Sequence, residues 1–250
     1  MLTSAPPRST WVLLMIFAIA LFLATLISLG MAFDVFVTPP NLPDGLDLPT
    51  RLIQSHPYQE AIWPFDAATN VLYLIAFGSL ALVSGSLRIL AGSHPLGSLL
   101  GAAALVSGVV GVVGSLIYIG GTKVVIDQAY CDCGFKNEEA ISQFWAINIV
   151  QGGTTWLAYG TIAFGALAVA VSATVLAATM SSAFRGVAWA AVIALLVGLV
   201  LDIVGQGQIG DLVLAVATGI LLPVWALMIG SALRRPGPAP SVAGATSSAV

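Results

Sequence analysis

Charge is scarce in this sequence. Eight lysines and arginines and eleven aspartates and glutamates are spread over 250 residues. That makes 8% charged, against roughly 25% in a soluble globular domain. Too few ionic groups exist to cover a surface in water, so lipid is the solvent for most of the chain. Histidine is almost missing too, with only His56 and His94. The topology argued below puts these two on opposite sides of a membrane, where they can neither share an active site nor hold a haem between them. No GxSxG, HExxH, P-loop or CxxCH pattern occurs, which removes the common hydrolase, metalloprotease, nucleotide and haem-attachment motifs. A net charge of −3 gives nucleic acid no footing. No catalytic residue, metal or cofactor is assigned, and a non-enzymatic role is favoured.

What the sequence has instead is long apolar runs. Residues Trp11 to Phe33 are unbroken by charge for 23 residues, enough for the ~30 Å of a hydrocarbon layer at 1.5 Å per helical residue. Gly30-Met31-Ala32 resembles a signal-peptide cleavage site, but the run exceeds a usual h-region and only Arg8 precedes it, so it reads as a retained first span. Five further runs give expected spans at about 66–90, 96–119, 154–180, 186–205 and 211–233. The fold class expected is therefore an all-α, six-span transmembrane bundle with two larger extracytoplasmic loops. Residues 1–10 form a cytoplasmic N-terminus, and the Pro/Ala/Ser-rich residues 234–250 form a disordered cytoplasmic tail.

The loops carry the polarity. Asp34 to Pro64 holds most of the prolines of the first half, with a short amphipathic piece from Thr50 to Ile62 on the membrane surface, broken at His56-Pro57. Asp66 then stands as N-cap of the second span, and Asp211 begins the sixth. The second polar stretch begins at Thr122 and holds both cysteines. Residues 143–151 read as an interfacial helical extension of the fourth span, bending at Gly152-Gly153. Orientation follows from the basic residues: Arg8, Arg88, Arg185, Arg234 and Arg235 lie at one side, against Arg51, Lys123 and Lys136 at the other. That places both termini in the cytoplasm of a multi-pass plasma (inner) membrane protein. Arginine in preference to lysine, with abundant alanine, glycine and valine, fits a GC-rich bacterial genome.

Three features could carry more than topology. In the third span Gly97, Gly101, Ala104, Gly108, Gly111 and Ser115 recur every three or four residues, one small-residue stripe that lets another backbone come close. Packing within the bundle is the expected use, and a homo-oligomer or another membrane-protein partner the alternative. Cys131-Asp132-Cys133 admits three readings: a strained local disulfide, lone thiols or bonds to partner proteins, and a soft-metal thiolate site. The third feature is polar. Asp66, Asn70 and Tyr73 share one helix face, as do Asn148, Gln151, Thr155 and Tyr159, and as do Asp202 and Gln206, with Asp211 close by in sequence. The candidate ligand-binding set is Asp66, Asn70, Asn148, Gln151, Asp202 and Asp211, arranged round an outward vestibule. The plainer alternative is the ordinary polarity of helix ends at an interface.

The sequence thus leads to a non-enzymatic accessory, scaffold or lipid/small-ligand-binding bundle in a lipid bilayer. A transporter or channel using the acidic mouth is the first alternative, and an outer-leaflet lipid-modifying enzyme the second.

Overall fold

In a computed structural model, which describes residues 9–43, 45, 46, 48–129 and 137–234, the chain is all α-helical. The elements are α1 (Ser9–Ala32), α2 (Leu48–Leu90), α3 (Gly97–Ala129), α4 (Asn137–Val175) and α5 (Ser182–Ile203). The last span is α6 (Gly207–Val216), a π-helical turn (Ala217–Leu221) and α7 (Leu222–Arg234) in unbroken succession. Six helical stretches are long and apolar enough to cross a membrane, and the protein is a multi-pass membrane protein. Cys131 and Cys133, and all but the first residue of the expected tail, lie outside the described residues.

The polar stretches are more helical than their sequence suggests. α2 has 43 residues, about 64 Å at 1.5 Å per residue, roughly twice the hydrocarbon thickness. It runs through Pro57 and Pro64 instead of breaking at His56-Pro57. A proline keeps a helical φ and costs one backbone hydrogen bond, so a helix supported elsewhere can carry it. The two prolines are seven residues apart, so both losses fall on one face. Asp66 therefore sits deep inside α2 and is no N-cap. Asp211 is likewise past the first turn of α6, which starts at Gly207. α3 continues to Ala129, and α4 begins at Asn137 and stays helical through Gly152-Gly153. Polarity records where water is, not what the backbone does. A helix satisfies its own N–H and C=O groups and can leave the lipid intact.

The helices form a ring. α1 packs on α2, α2 on α3, α3 on α4, α4 on α5 and α5 on α6, and α1 closes the circle against the π turn and α7. Trp11 of α1 lies beside Gly230 of α7, and the Thr10 hydroxyl donates to Ser86 of α2 at 2.8 Å. The start of α1 and the ends of α2 and α7 thus share one end of the bundle, with Arg88 and Arg234. We call it the basic end; the opposite, acidic end carries Asp66, Asp202 and Asp211.

The glycine stripe of α3 is spent on α2. A Cβ on Gly108 would stand 2.6 Å from the Ala81 nitrogen and 2.7 Å from the Phe77 carbonyl oxygen. Gly97 meets Ala91, Gly101 meets Arg88 and Ser84, and Gly111 meets the Phe77 ring. Backbone contact of this kind replaces the hydrophobic drive that lipid does not supply. α3 is also the most enclosed span, at 44% buried against 28–39% for the others.

Packing is dense only in the basic half. There Leu14, Phe17, Leu21, Leu87, Leu100, Leu195, Trp225 and Ile229 are all fully buried. Trp225 donates its indole N–H to the Ser172 hydroxyl at 2.9 Å and meets Phe17 edge-on, with ring centroids 6.5 Å apart. No helix runs along the axis of the ring, so what fills the acidic half must be side chains, or nothing.

Candidate functional site

It is largely nothing. A cavity of about 810 Å³ occupies the acidic half. Every span but α5 contributes to its wall. α1 brings Thr25, Ser28 and Ala32, α2 brings Asn70, Tyr73 and Phe77, and α3 brings Gly114, Ser115 and Tyr118. Thr154, Ala158 and Thr161 come from α4, and Gln208, Asp211, Leu212 and Thr218 from the last span. Mostly apolar walls with a few hydroxyl and amide groups are the usual make-up of a small-molecule site, and the volume lies within the usual range of ~300–1,000 Å³.

The cavity is blind. Its floor is a polar layer near the middle of the bundle. Thr25 and Thr218 hydroxyls are 3.1 Å apart, and the Ser107 hydroxyl donates to the Thr161 carbonyl at 2.9 Å. Below that layer lies a second, small cavity of about 40 Å³ with Phe17, Leu21, Leu195 and Trp225 in its walls. Phe77, Thr161, Ile162 and Thr218 border both.

The floor owes its shape to the π turn. Pro223 has no N–H to give to the Gly219 carbonyl and would crowd it in a regular α-helix. Widening the turn at Ala217–Leu221 accommodates the proline. Gly219 then lies against Thr25, where a Cβ would come within 2.8 Å of its methyl group. The wide turn thereby brings Thr218 and Thr25 together.

At the mouth, the three aspartates take different positions. Asp211 is on the cavity wall, with no hydrogen bond or ion pair among the described residues. Asp66 is off the wall, but Tyr118, which is on it, donates to its Oδ2 at 3.3 Å. Asp202 accepts from the Tyr159 hydroxyl at 2.8 Å and lies close enough to Asp211 for the two charges to act on each other. Its helix ends in a Schellman turn: Gly205, at φ +82°, donates to the Asp202 carbonyl and Gln206 to that of Leu201. The turn brings Gly210 onto the Asp202 backbone, with room for no Cβ.

Of the other expected residues, Asn70 lines the cavity while its side-chain NH₂ bonds back to the Asp66 carbonyl at 3.0 Å. Asn148 and Gln151 are exposed on α4 and do not line it. Asn70 and Asp211 are thus brought to one wall. Asp66 reaches that region through Tyr118, Asp202 only through its charge beside Asp211, and Asn148 and Gln151 do not join them. No lysine or arginine lines the cavity, and no three His, Cys, Asp or Glu side chains gather into a metal-holding group among the described residues. No family model, curated protein or solved structure matches this chain.

Sequence reasoning missed the hydroxyl groups: Thr25, Ser28, Ser115, Thr161 and Thr218. Ser and Thr inside a membrane helix routinely bond to a carbonyl one turn back, as Thr25, Thr161 and Thr218 do here, so singly they carry no signal. The gathering of Thr25, Thr161 and Thr218 from three different spans at the cavity floor is the clue that was available.

Proposed function

We propose that this protein is a ligand-binding membrane bundle that holds a small amphiphilic molecule in the cavity of its acidic half. One observation carries the reading: an 810 Å³ space with mostly apolar walls and a ring of hydroxyl and amide groups, in a bundle otherwise packed tightly enough to exclude one. A purely structural scaffold has no use for such a void, whose walls forgo packing contacts at a cost in stability. In this reading the acidic end faces out of the cytoplasm of a bacterial inner membrane, because Arg88, Arg185 and Arg234 mark the other end.

The test is to fill the space. Ala158→Trp places an indole in the cavity from α4. Native mass spectrometry of the protein extracted in mild neutral detergent should show a bound small molecule that Ala158→Trp loses. Ala215→Trp does the same from α6 and guards against a folding defect in the first variant. Retention of the same bound mass by both folded variants would remove the cavity from consideration.

Transport is the second reading, favoured by the shared wall between the two cavities. Only the layer of Phe77, Thr161, Ile162 and Thr218 separates the open space from the small void in the basic half. A second state with that layer open toward the basic end would convert a binder into a carrier.

A further inference from the structure

We propose that the occupant of this cavity is an amphiphile bearing a positively charged nitrogen, its apolar tail lying toward a gap between α1 and α6. The inference rests on the ligand-binding reading above and adds the chemical class.

The first argument is charge. Asp211 is the one ionisable carboxylate on the wall, and no protein cation answers it there among the described residues. Asp202 lies nearby, and Asp66 is linked to the wall through Tyr118. The Tyr118 hydroxyl on the wall already points its proton at a carboxylate, so it presents oxygen and a ring face to the space rather than compensating positive charge. Asp211 is exposed on the wall beside the Asp202 charge, and a cationic ligand in the space relieves the repulsion between the two carboxylates. Tyr73 and Phe77 of α2 add aromatic faces to the wall, which suit an ammonium group better than a carboxylate or phosphate.

The second argument is shape. α1 packs on the π turn and α7, both toward the basic end, and makes no substantial contact with α6. Yet α1 and α6 both line the cavity, so its wall is incomplete between them. Leu212 and Phe33 line the cavity while remaining 54% and 69% exposed. Apolar side chains that border both the cavity and the bilayer mark a side opening, and an alkyl tail there stays among apolar groups while the head reaches Asp211.

A matched probe set tests this with the full-length protein in neutral detergent. Decyltrimethylammonium, decanol, decanoate and tetramethylammonium are titrated below their micelle concentrations, and binding is read by thermal shift and calorimetry. In the unaltered protein decyltrimethylammonium is expected to bind at least about tenfold tighter than each of the other three. Asp211→Asn should bring it down to the level of decanol, and Leu212→Asn should weaken it without weakening tetramethylammonium. Equal or tighter binding of decanol or decanoate, still abolished by Ala158→Trp, overturns the ammonium class and leaves the cavity reading standing. Tetramethylammonium binding as tightly as its decyl counterpart, or an indifferent Leu212→Asn, overturns the tail. If Ala158→Trp affects the binding of no probe, the cavity reading itself falls.

Discussion

Gly108 is where α3 comes closest to the backbone of α2, and Gly108→Ala tests the packing most directly. The added Cβ would stand 2.6 Å from the Ala81 nitrogen, 2.7 Å from the Phe77 oxygen and 2.8 Å from the Ala81 Cβ. Two of these three are backbone atoms, so no side chain can turn away to make room. The helices must part by about 0.7 Å to restore ordinary contact, a gap that forfeits roughly a quarter to a half of each local dispersion well. Overpacking of this kind costs about 1–3 kcal/mol. Working against it, alanine is the better helix former by about 1 kcal/mol. Gly85→Ala isolates that opposing effect, because nothing lies within 4 Å of a Cβ there. The two variants share the propensity gain, so their difference reports the seam alone. It should be about 1–3 kcal/mol, or roughly 2–12 °C in apparent Tm for a chain of this size. The assay is thermal unfolding in neutral detergent followed by tryptophan fluorescence, with size-exclusion chromatography of heated samples as a second readout. Equal melting temperatures for Gly108→Ala and Gly85→Ala would refute the close approach of α2 and α3.

Gly111→Ala should crowd the seam as well, since its Cβ would meet Phe77 at the ring and at the Cβ, 2.9 Å away and fixed by its backbone. A loss of stability similar to that of Gly108→Ala should therefore accompany a smaller amount of bound ligand in native mass spectrometry, as the ring is pressed toward the cavity it lines. Ser172→Ala deprives the buried Trp225 indole of its acceptor, and denaturant titration should show a loss of about 0.5–2 kcal/mol, the lower figure being typical of hydrogen bonds within a membrane. For topology, an impermeant thiol reagent applied to intact cells should label a Ser55→Cys variant. Ser93→Cys should react only after permeabilisation, and external labelling at position 93 would reverse the orientation.

The six spans were legible because each is a long apolar run, and that signal survives any arrangement of the helices. The glycine stripe was legible for a similar reason: periodicity along one helix needs no neighbour to be seen. The lengths of α2, α3 and α4 were not, because the pattern of polarity marks the water boundary while the helical hydrogen bonding continues past it. That error made Asp66 and Asp211 look like caps, when both are interior residues whose carboxylates are not needed to end a helix. Asn148 and Gln151 miss the cavity for a different reason: Thr155 and Ala158, on the same face of α4, line it, and the two amides lie one to two turns beyond them toward the helix start. Spacing on one helix groups residues on a face, but only the packed ring decides over what length of that face a space opens. The cavity itself is a property of the ring and of no single segment.

A π turn holds one more residue than the α-helical turn it replaces, so the last span can be regarded as a regular helix with a single-residue insertion at Ala217–Leu221. Each residue of an α-helix turns the chain by about 100°. Everything on α6 is therefore rotated by roughly that angle from where the α7 face would carry it. Deleting one residue of the turn would shorten the span by only that residue and press Pro223 against a carbonyl one turn back. It would also swing Asp211 about a quarter of the way round its helix, away from the wall it occupies. On this account the carboxylate faces the cavity because of an offset introduced beside Pro223, about three helical turns away from it.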